Sequence, residues 1–75
     1  MTHAEKQLAA NLSRADEEIS YWMRQAANIG QAAGFYTDAQ TIKQEIKTAT
    51  LSTGPEIFKR AWRLCQRIEQ KLTWK

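Results

Sequence analysis

The strongest constraint on the fold is a run of apolar residues spaced alternately four and three positions apart in the first half of the chain. Mostly polar residues fill the positions between them. Such a 4-3 spacing is typical of an α-helix that lays one apolar seam against a partner helix at a shallow angle. It predicts a long first helix over about residues 3–33. The spaced residues are Leu8, Leu12, Ala15, Ile19, Trp22, Ala26, Ile29 and Ala33.

A second, shorter helix is predicted over about residues 38–50. Gly34 follows the apolar seam, and a glycine at this place commonly caps a helix in the left-handed conformation. Thr37 and Gln40 then have the spacing of a capping box, which marks the start of a new helix. Its apolar positions are Ala39, Ile42, Ile46 and Ala49.

A third helix is predicted over about residues 55–74, after the break in the stretch LSTGPE. Thr53 and Glu56 have the spacing of another capping box, and Pro55 suits a first helical turn, where its missing N–H does no harm. The central apolar line of this helix consists of Phe58, Ala61, Cys65, Ile68 and Leu72.

These patterns predict an all-α fold, a small three-helix bundle or helical hairpin, in one domain over residues 1–75. With 75 residues, the chain is close to the lower limit for folding without disulfides or metals. A first helix of about 30 residues would be roughly 45 Å long, more than two short helices cover. We therefore expect a homodimer that associates through the seam residues Leu8, Leu12, Ala15, Ile19, Trp22, Ala26 and Ile29.

The chain is poor in groups that catalyse reactions or hold metals. Its one histidine, His3, lies near the N-terminus, and its one cysteine, Cys65, falls on the apolar line of the third helix. Asp16, Glu17 and Glu18 are consecutive, so a helix points them in different directions and does not pair them. We expect no enzymatic activity, no cofactor and no metal site, and we interpret Cys65 as a small buried hydrophobe.

The composition is that of an ordinary globular protein, with 43% apolar and 25% charged residues. The N-terminal stretch lacks the apolar region of a secretion signal, and the longest apolar run has three residues, too few to span a membrane. A single cysteine excludes an internal disulfide framework and fits a reducing compartment. We expect a cytoplasmic protein that does not bind membranes.

Positive charge is concentrated in the second half of the chain. Residues 38–75 carry eight cations and four anions, against three and four in residues 1–37. Cations recur along one broad face of the third helix, where they would bind phosphates in a salt-dependent, sequence-independent manner. They equally suit a solvated face or a contact with another protein. The cations are Lys59, Arg60, Arg63, Arg67, Lys71 and Lys75.

A second route to DNA binding comes from the stretch IGQAAGF. It resembles the first helix and turn of helix-turn-helix repressors, in which a small residue precedes the turn glycine by four positions and an aliphatic residue follows it by one. Gly30, Gly34 and Phe35 hold those places. The resemblance implies a degenerate helix-turn-helix over residues 26–46, with DAQTIKQEIK as its recognition helix.

Aromatic residues and arginines form a candidate protein-binding surface, since Tyr, Trp and Arg often dominate protein interfaces. We therefore expect a small non-enzymatic helical module that binds another protein as its regulator or inhibitor, an accessory protein of the phage or plasmid kind. The alternative is a small DNA-binding regulator. The candidate protein-binding residues are Tyr21, Tyr36, Arg60, Trp62, Arg63 and Arg67.

Overall fold

The computed structural model describes residues 2–73 and has three α-helices, one short 3-10 helix and, over those residues, no strand. The all-α class and the three-helix order are confirmed. Trp74 and Lys75, the latter one of the predicted cations, lie outside the described residues. The elements are α1 over His3–Asn28, the 3-10 helix over Ala32–Gly34, α2 over Tyr36–Lys47 and α3 over Gly54–Thr73.

The start of α1 is fixed by a capping box that the sequence analysis missed. The Thr2 hydroxyl accepts a hydrogen bond from the backbone N–H of Glu5 at 3.2 Å, and the Glu5 carboxylate accepts one from the backbone N–H of Thr2 at 3.3 Å. Two of the donors that a helix start leaves unpaired are thereby satisfied. His3 is accordingly the first helical residue.

The end of α1 differs from the prediction, which placed it near residue 33 with Gly34 as the cap. The helix ends at Asn28, and Gly30 is the glycine with a positive φ, at 74°. The N–H of Gly30 donates to the carbonyl of Ala27, and the N–H of Gln31 donates to that of Ala26 at 2.8 Å. This is the Schellman pattern, which needs a left-handed residue after the last turn.

Helix α2 runs back along α1 in the antiparallel direction. The Lys43 ammonium lies 3.4 Å from a carboxylate oxygen of Asp16 and donates a hydrogen bond to the Ser20 hydroxyl. Further along α2, Ile46 borders the same groove as Leu8 of α1. The helix-turn-helix over residues 26–46 that the resemblance implied stays a prediction.

The capping boxes predicted for α2 and α3 are not formed within the described residues. Helix α2 starts at Tyr36, one residue before Thr37, because buried Phe35 fixes where the chain re-enters the bundle. It ends at Lys47, before the threonine-rich stretch that disfavours helix. Ahead of α3, Thr53 pairs with Thr50 instead of Glu56: each hydroxyl accepts the other residue's backbone N–H.

Helix α3 returns parallel to α1, which gives an up-down-up arrangement. Gly54, at the start of α3, lies so close to Leu8 that a Cβ there would be 2.4 Å from a Leu8 methyl carbon. One to two turns later, Phe58 and Trp62 border the same groove as Arg14 of α1. Helix α3 thus covers α1 from Leu8 onward.

The apolar seam of α1 is covered within a single chain. Its buried members form the core together with buried residues of α2 and α3. Leu8 and Trp22 are partly buried and pack against this core. Ile29 is 54% exposed because it is the cap residue beyond the last helical turn. Association of two copies through this seam would require α1 to separate from α3, and the homodimer remains a prediction. The buried core comprises Leu12, Ala15, Ile19, Ala26, Phe35, Ala39, Ile42, Ile57, Ala61, Leu64, Cys65 and Ile68.

Replacing Gly30 with alanine should destabilise the protein, because an L-residue in the left-handed conformation costs about 1–2 kcal/mol. Gly34→Ala is the matched control. Gly34 has no positive φ, and a Cβ there would meet nothing within 4 Å, so this change should be neutral or slightly stabilising. Urea unfolding followed by circular dichroism measures both. An equal loss in the two variants would show that Gly30 is not the cap of α1.

Candidate functional site

Helix α3 presents its functional side chains on two different sides. Consecutive helical residues are about 100° apart, so Trp62 points away from Arg60 and Arg67. The structure places Trp62 in a groove between α1 and α3, and the arginines in a cleft between α2 and α3. The single patch of Trp62 with neighbouring arginines that the sequence suggested is therefore divided by the body of α3.

The groove between α1 and α3, here called the aromatic groove, has a volume of about 270 Å³. Trp62 is 53% exposed at its edge, whereas Phe58 packs against the core. Arg14 and Glu18 place one charge of each sign on the α1 side. The groove is lined by Asn11, Arg14, Ala15, Glu18, Phe58 and Trp62.

Tyr21 extends the same side of α1 beyond the aromatic groove. It stands seven residues after Arg14 and three after Glu18, a spacing that keeps the three side chains on one stripe of the helix. Its ring meets the half-buried Trp22 edge-on, with centroids 5.1 Å apart and an angle of 84° between the planes. Tyr21 is 46% exposed, so this side of the molecule offers a second aromatic surface.

The cleft between α2 and α3, here called the arginine cleft, has a volume of about 260 Å³. Its apolar floor is formed by Ile42 and Leu64, both buried in the core. Three arginines of α3 line it from successive turns. The full lining is Asp38, Thr41, Ile42, Arg60, Arg63, Leu64 and Arg67.

The three arginines of this cleft differ in how firmly they are held. Arg60 is partly buried and donates a short charge-assisted hydrogen bond to Glu45. Arg67 reaches Asp38 at 3.5 Å, with both side chains more than half exposed, and its guanidinium lies 5.8 Å from the centre of the Phe35 ring. An exposed pair of this kind contributes about 0–1 kcal/mol.

Arg63 is the least restrained of the three. It is exposed, and within residues 2–73 it forms no ion pair. Its guanidinium is therefore available to a ligand in the arginine cleft.

Within residues 2–73, the cations of the predicted row have different surroundings, and Arg67 and Lys71 border one further depression. Arg60 and Arg67 turn toward α2, where they meet carboxylates. Lys59 and Lys71 are exposed outside the arginine cleft.

The acidic residues of α1 point in different directions, as their consecutive positions predicted. Asp16 pairs with Lys43 at 3.4 Å, on the side of α2. Glu18 lines the aromatic groove on the side of α3, and Glu17 is exposed. They do not form a common acidic patch.

Tyr36 is the remaining candidate protein-binding residue. It is 59% exposed at the first position of α2 and lines neither the aromatic groove nor the arginine cleft.

Cys65 is buried on the core side of α3. Burial raises the pKa of its thiol from 9.0 to about 11, and the carboxylate of Glu18 adds to this increase. A thiol with a raised pKa is protonated at neutral pH and is a poor nucleophile. The environment of Cys65 is therefore that of a small buried hydrophobe.

Residues 2–73 contain no group of three or more metal-ligating side chains. None of the helices within that range is long and apolar enough to cross a membrane.

No protein-family model matches the sequence, and neither a curated protein nor a solved structure gives a significant match.

The raised pKa of Cys65 predicts a stability that falls between about pH 9 and pH 11. In that window the unfolded chain releases the thiol proton while the folded chain keeps it, so rising pH favours unfolding. Below pH 9 both states keep the proton, and the thiol does not make the free energy of unfolding depend on pH. Urea unfolding at pH 8 and pH 10.5 should show a larger loss for the natural protein than for Cys65→Ala. Equal losses would show that the thiol is not shielded.

Proposed function

We propose that the protein is a non-enzymatic, cytoplasmic helical module that binds another protein through the aromatic groove and thereby regulates or inhibits it. The observation that carries this proposal is the position of Trp62. It is 53% exposed at the edge of a groove whose wall includes Phe58. A tryptophan beside a depression is the residue type and setting that most often anchors a protein interface.

The energetics of Trp62 favour an external partner. The chain leaves about half of a large ring in water, although burial of apolar surface would stabilise it by roughly 25 cal/mol per Å². A partner side chain seated in the groove would cover the ring and contact Phe58 at once. Trp62 is therefore the expected anchor of the interface.

The polar lining of the groove supports the same proposal. Arg14 and Glu18 stand on the α1 side with opposite charges, and Asn11 adds an amide. Protein interfaces commonly surround an apolar centre with a polar rim of this kind. Opposite charges at fixed positions would orient a partner and select against one with the reverse pattern. Tyr21 would extend the contact along α1.

DNA binding is the second candidate, and the ion pairs of α3 weigh against it. A nucleic-acid surface gains affinity from each cation that neutralises a phosphate. Arg60 and Arg67 already meet Glu45 and Asp38. Of the predicted cations within residues 2–73, this leaves Lys59, Arg63 and Lys71 for a phosphate backbone.

Trp62→Ala should strongly weaken partner binding while leaving the fold intact. Loss of an anchoring tryptophan costs at least about 2 kcal/mol in affinity, or roughly 30-fold, whereas a half-exposed side chain contributes little to stability. The partner would be captured from a host lysate on the immobilised natural protein, and its affinity for each variant measured by calorimetry.

Tyr36→Ala is the matched control, because Tyr36 is equally exposed but lies outside the aromatic groove. This variant should bind the partner normally. A partner that binds Trp62→Ala as tightly as the natural protein would contradict the proposed surface. Sedimentation equilibrium of both variants shows whether the partner is a second copy of the chain.

Duplex DNA should bind weakly at low salt and not at all at moderate salt. If Lys59, Arg63 and Lys71 are the phosphate contacts, the slope of log affinity against log salt would be about −3. Fluorescence anisotropy with duplex and single-stranded DNA at 50 and 200 mM salt measures this. Tight binding that survives 200 mM salt would favour the DNA-binding alternative over the protein-binding module.

A further inference from the structure

We propose that the arginine cleft is a binding site for a phosphate monoester group, either free in a small molecule or carried by a phosphorylated side chain. This inference goes beyond the aromatic groove and does not depend on it, because the two sites lie on opposite sides of α3. It follows from four features of the cleft: its donors, its apolar floor, its charge and its internal competitor.

The donors come from two helices and converge on one depression. Arg63 and Arg67 are four residues apart on α3, so their guanidinium groups stand one turn apart on the same side. Thr41 places a hydroxyl on the opposite wall, from α2. Several directed N–H and O–H donors around a depression suit an oxyanion with three or four oxygens better than a carboxylate with two.

The floor of the cleft strengthens these contacts. Ile42 is 5% exposed and Leu64 is 2% exposed, so the inner side of a bound group would meet hydrocarbon rather than water. Attraction between charges is larger where water is displaced by protein. A flat exposed helix face lacks this advantage.

Two arginines of the cleft can face a dianion together. Three arginines and the two carboxylates of Asp38 and Glu45 leave a net charge of +1 (3 − 2). Arg60 is held by Glu45 in a short contact and is not available. If the ligand displaces Asp38, the free guanidiniums of Arg63 and Arg67 carry +2, which balances a phosphate monoester with its second pKa near 6.

Asp38 is an internal competitor for the same donor. Its carboxylate reaches the Arg67 guanidinium at 3.5 Å, a long contact between two side chains that are 52% and 60% exposed. A monoanionic carboxylate ligand would only replace Asp38 with an equivalent group. A dianion engages Arg63 and Arg67 together, which gives it the larger gain. A phosphodiester of DNA carries one charge per phosphate and lacks this advantage.

Nuclear magnetic resonance titration of the ¹⁵N-labelled protein tests the site through the side-chain Nε–Hε signals of the arginines. The probes are inorganic phosphate and phosphoserine, with acetate and a short DNA duplex as comparison ligands, all at 0.15 M ionic strength and pH 7.5. Phosphate and phosphoserine should shift the Arg63 and Arg67 signals saturably. Tighter binding of inorganic phosphate would point to a free phosphate compound as the natural ligand. Tighter binding of phosphoserine would point to a phosphorylated side chain.

Three variants should change the affinity for phosphate in three different ways. Arg63→Gln should weaken phosphate binding about tenfold, since it removes a charge-assisted hydrogen bond. Lys59→Gln removes the same charge from the same helix but outside the cleft, and should change affinity less than twofold. Asp38→Asn should tighten binding severalfold, because it removes the competitor of Arg67 while retaining the shape of the side chain.

A shift to pH 5 should weaken phosphoserine binding severalfold, because a phosphate monoester becomes a monoanion below its second pKa of about 6. Four results would overturn the proposal. They are equal effects of Arg63→Gln and Lys59→Gln, weaker or unchanged binding by Asp38→Asn, acetate binding as tight as phosphate, and DNA shifting the same signals at lower concentration. Circular dichroism of each variant confirms that the helices are retained.

Discussion

Burial of the α1 seam against α3 is the interaction on which the rest of the structure depends. Ile19 of α1 and Leu64 and Ile68 of α3 are the largest fully buried side chains among residues 2–73, and each contributes about 1.5–3 kcal/mol. Helix α2 connects α1 to α3 in the chain and packs against both of them. Since the seam uses the apolar stripes of both long helices, it decides which side chains of α3 stay outside. Those outward side chains form the two depressions described above.

The two candidate sites are consequences of a single orientation of α3. Because its apolar stripe is directed inward, α3 places Trp62 beside α1. Its three arginines, Arg60, Arg63 and Arg67, lie on the other side, beside α2 or in solvent. Neither neighbour covers these side chains completely. Helix α1 contributes charges of both signs to one depression, and α2 contributes a carboxylate and a hydroxyl to the other. One helix thus supplies an apolar anchor and a set of anion donors, separated by its own width.

The sequence predicted the helices and most of the core because burial sets a period that can be read without the structure. It failed where the outcome depends on local backbone geometry or on tertiary register. Gly30 and Gly34 are equally plausible caps in the sequence, and only the turn geometry selects Gly30. The spacing of Thr2 and Glu5 is itself that of a capping box and marks the start of α1. Pairing of Arg60 with Glu45 could not be predicted, because it depends on how α2 slides along α3.

The parallel course of α1 and α3 has a mechanical consequence. The start of α1 at His3 and the end of α3 at Thr73 point to opposite ends of a body that is 45 Å long and 19 by 16 Å across. Tension applied between these two points would slide the helices along one another and load their shared contacts together. In an antiparallel pair joined by a short turn, tension at adjacent ends would peel the contacts apart one after another. The shared contacts of α1 and α3 would therefore resist tension along the long axis as a set.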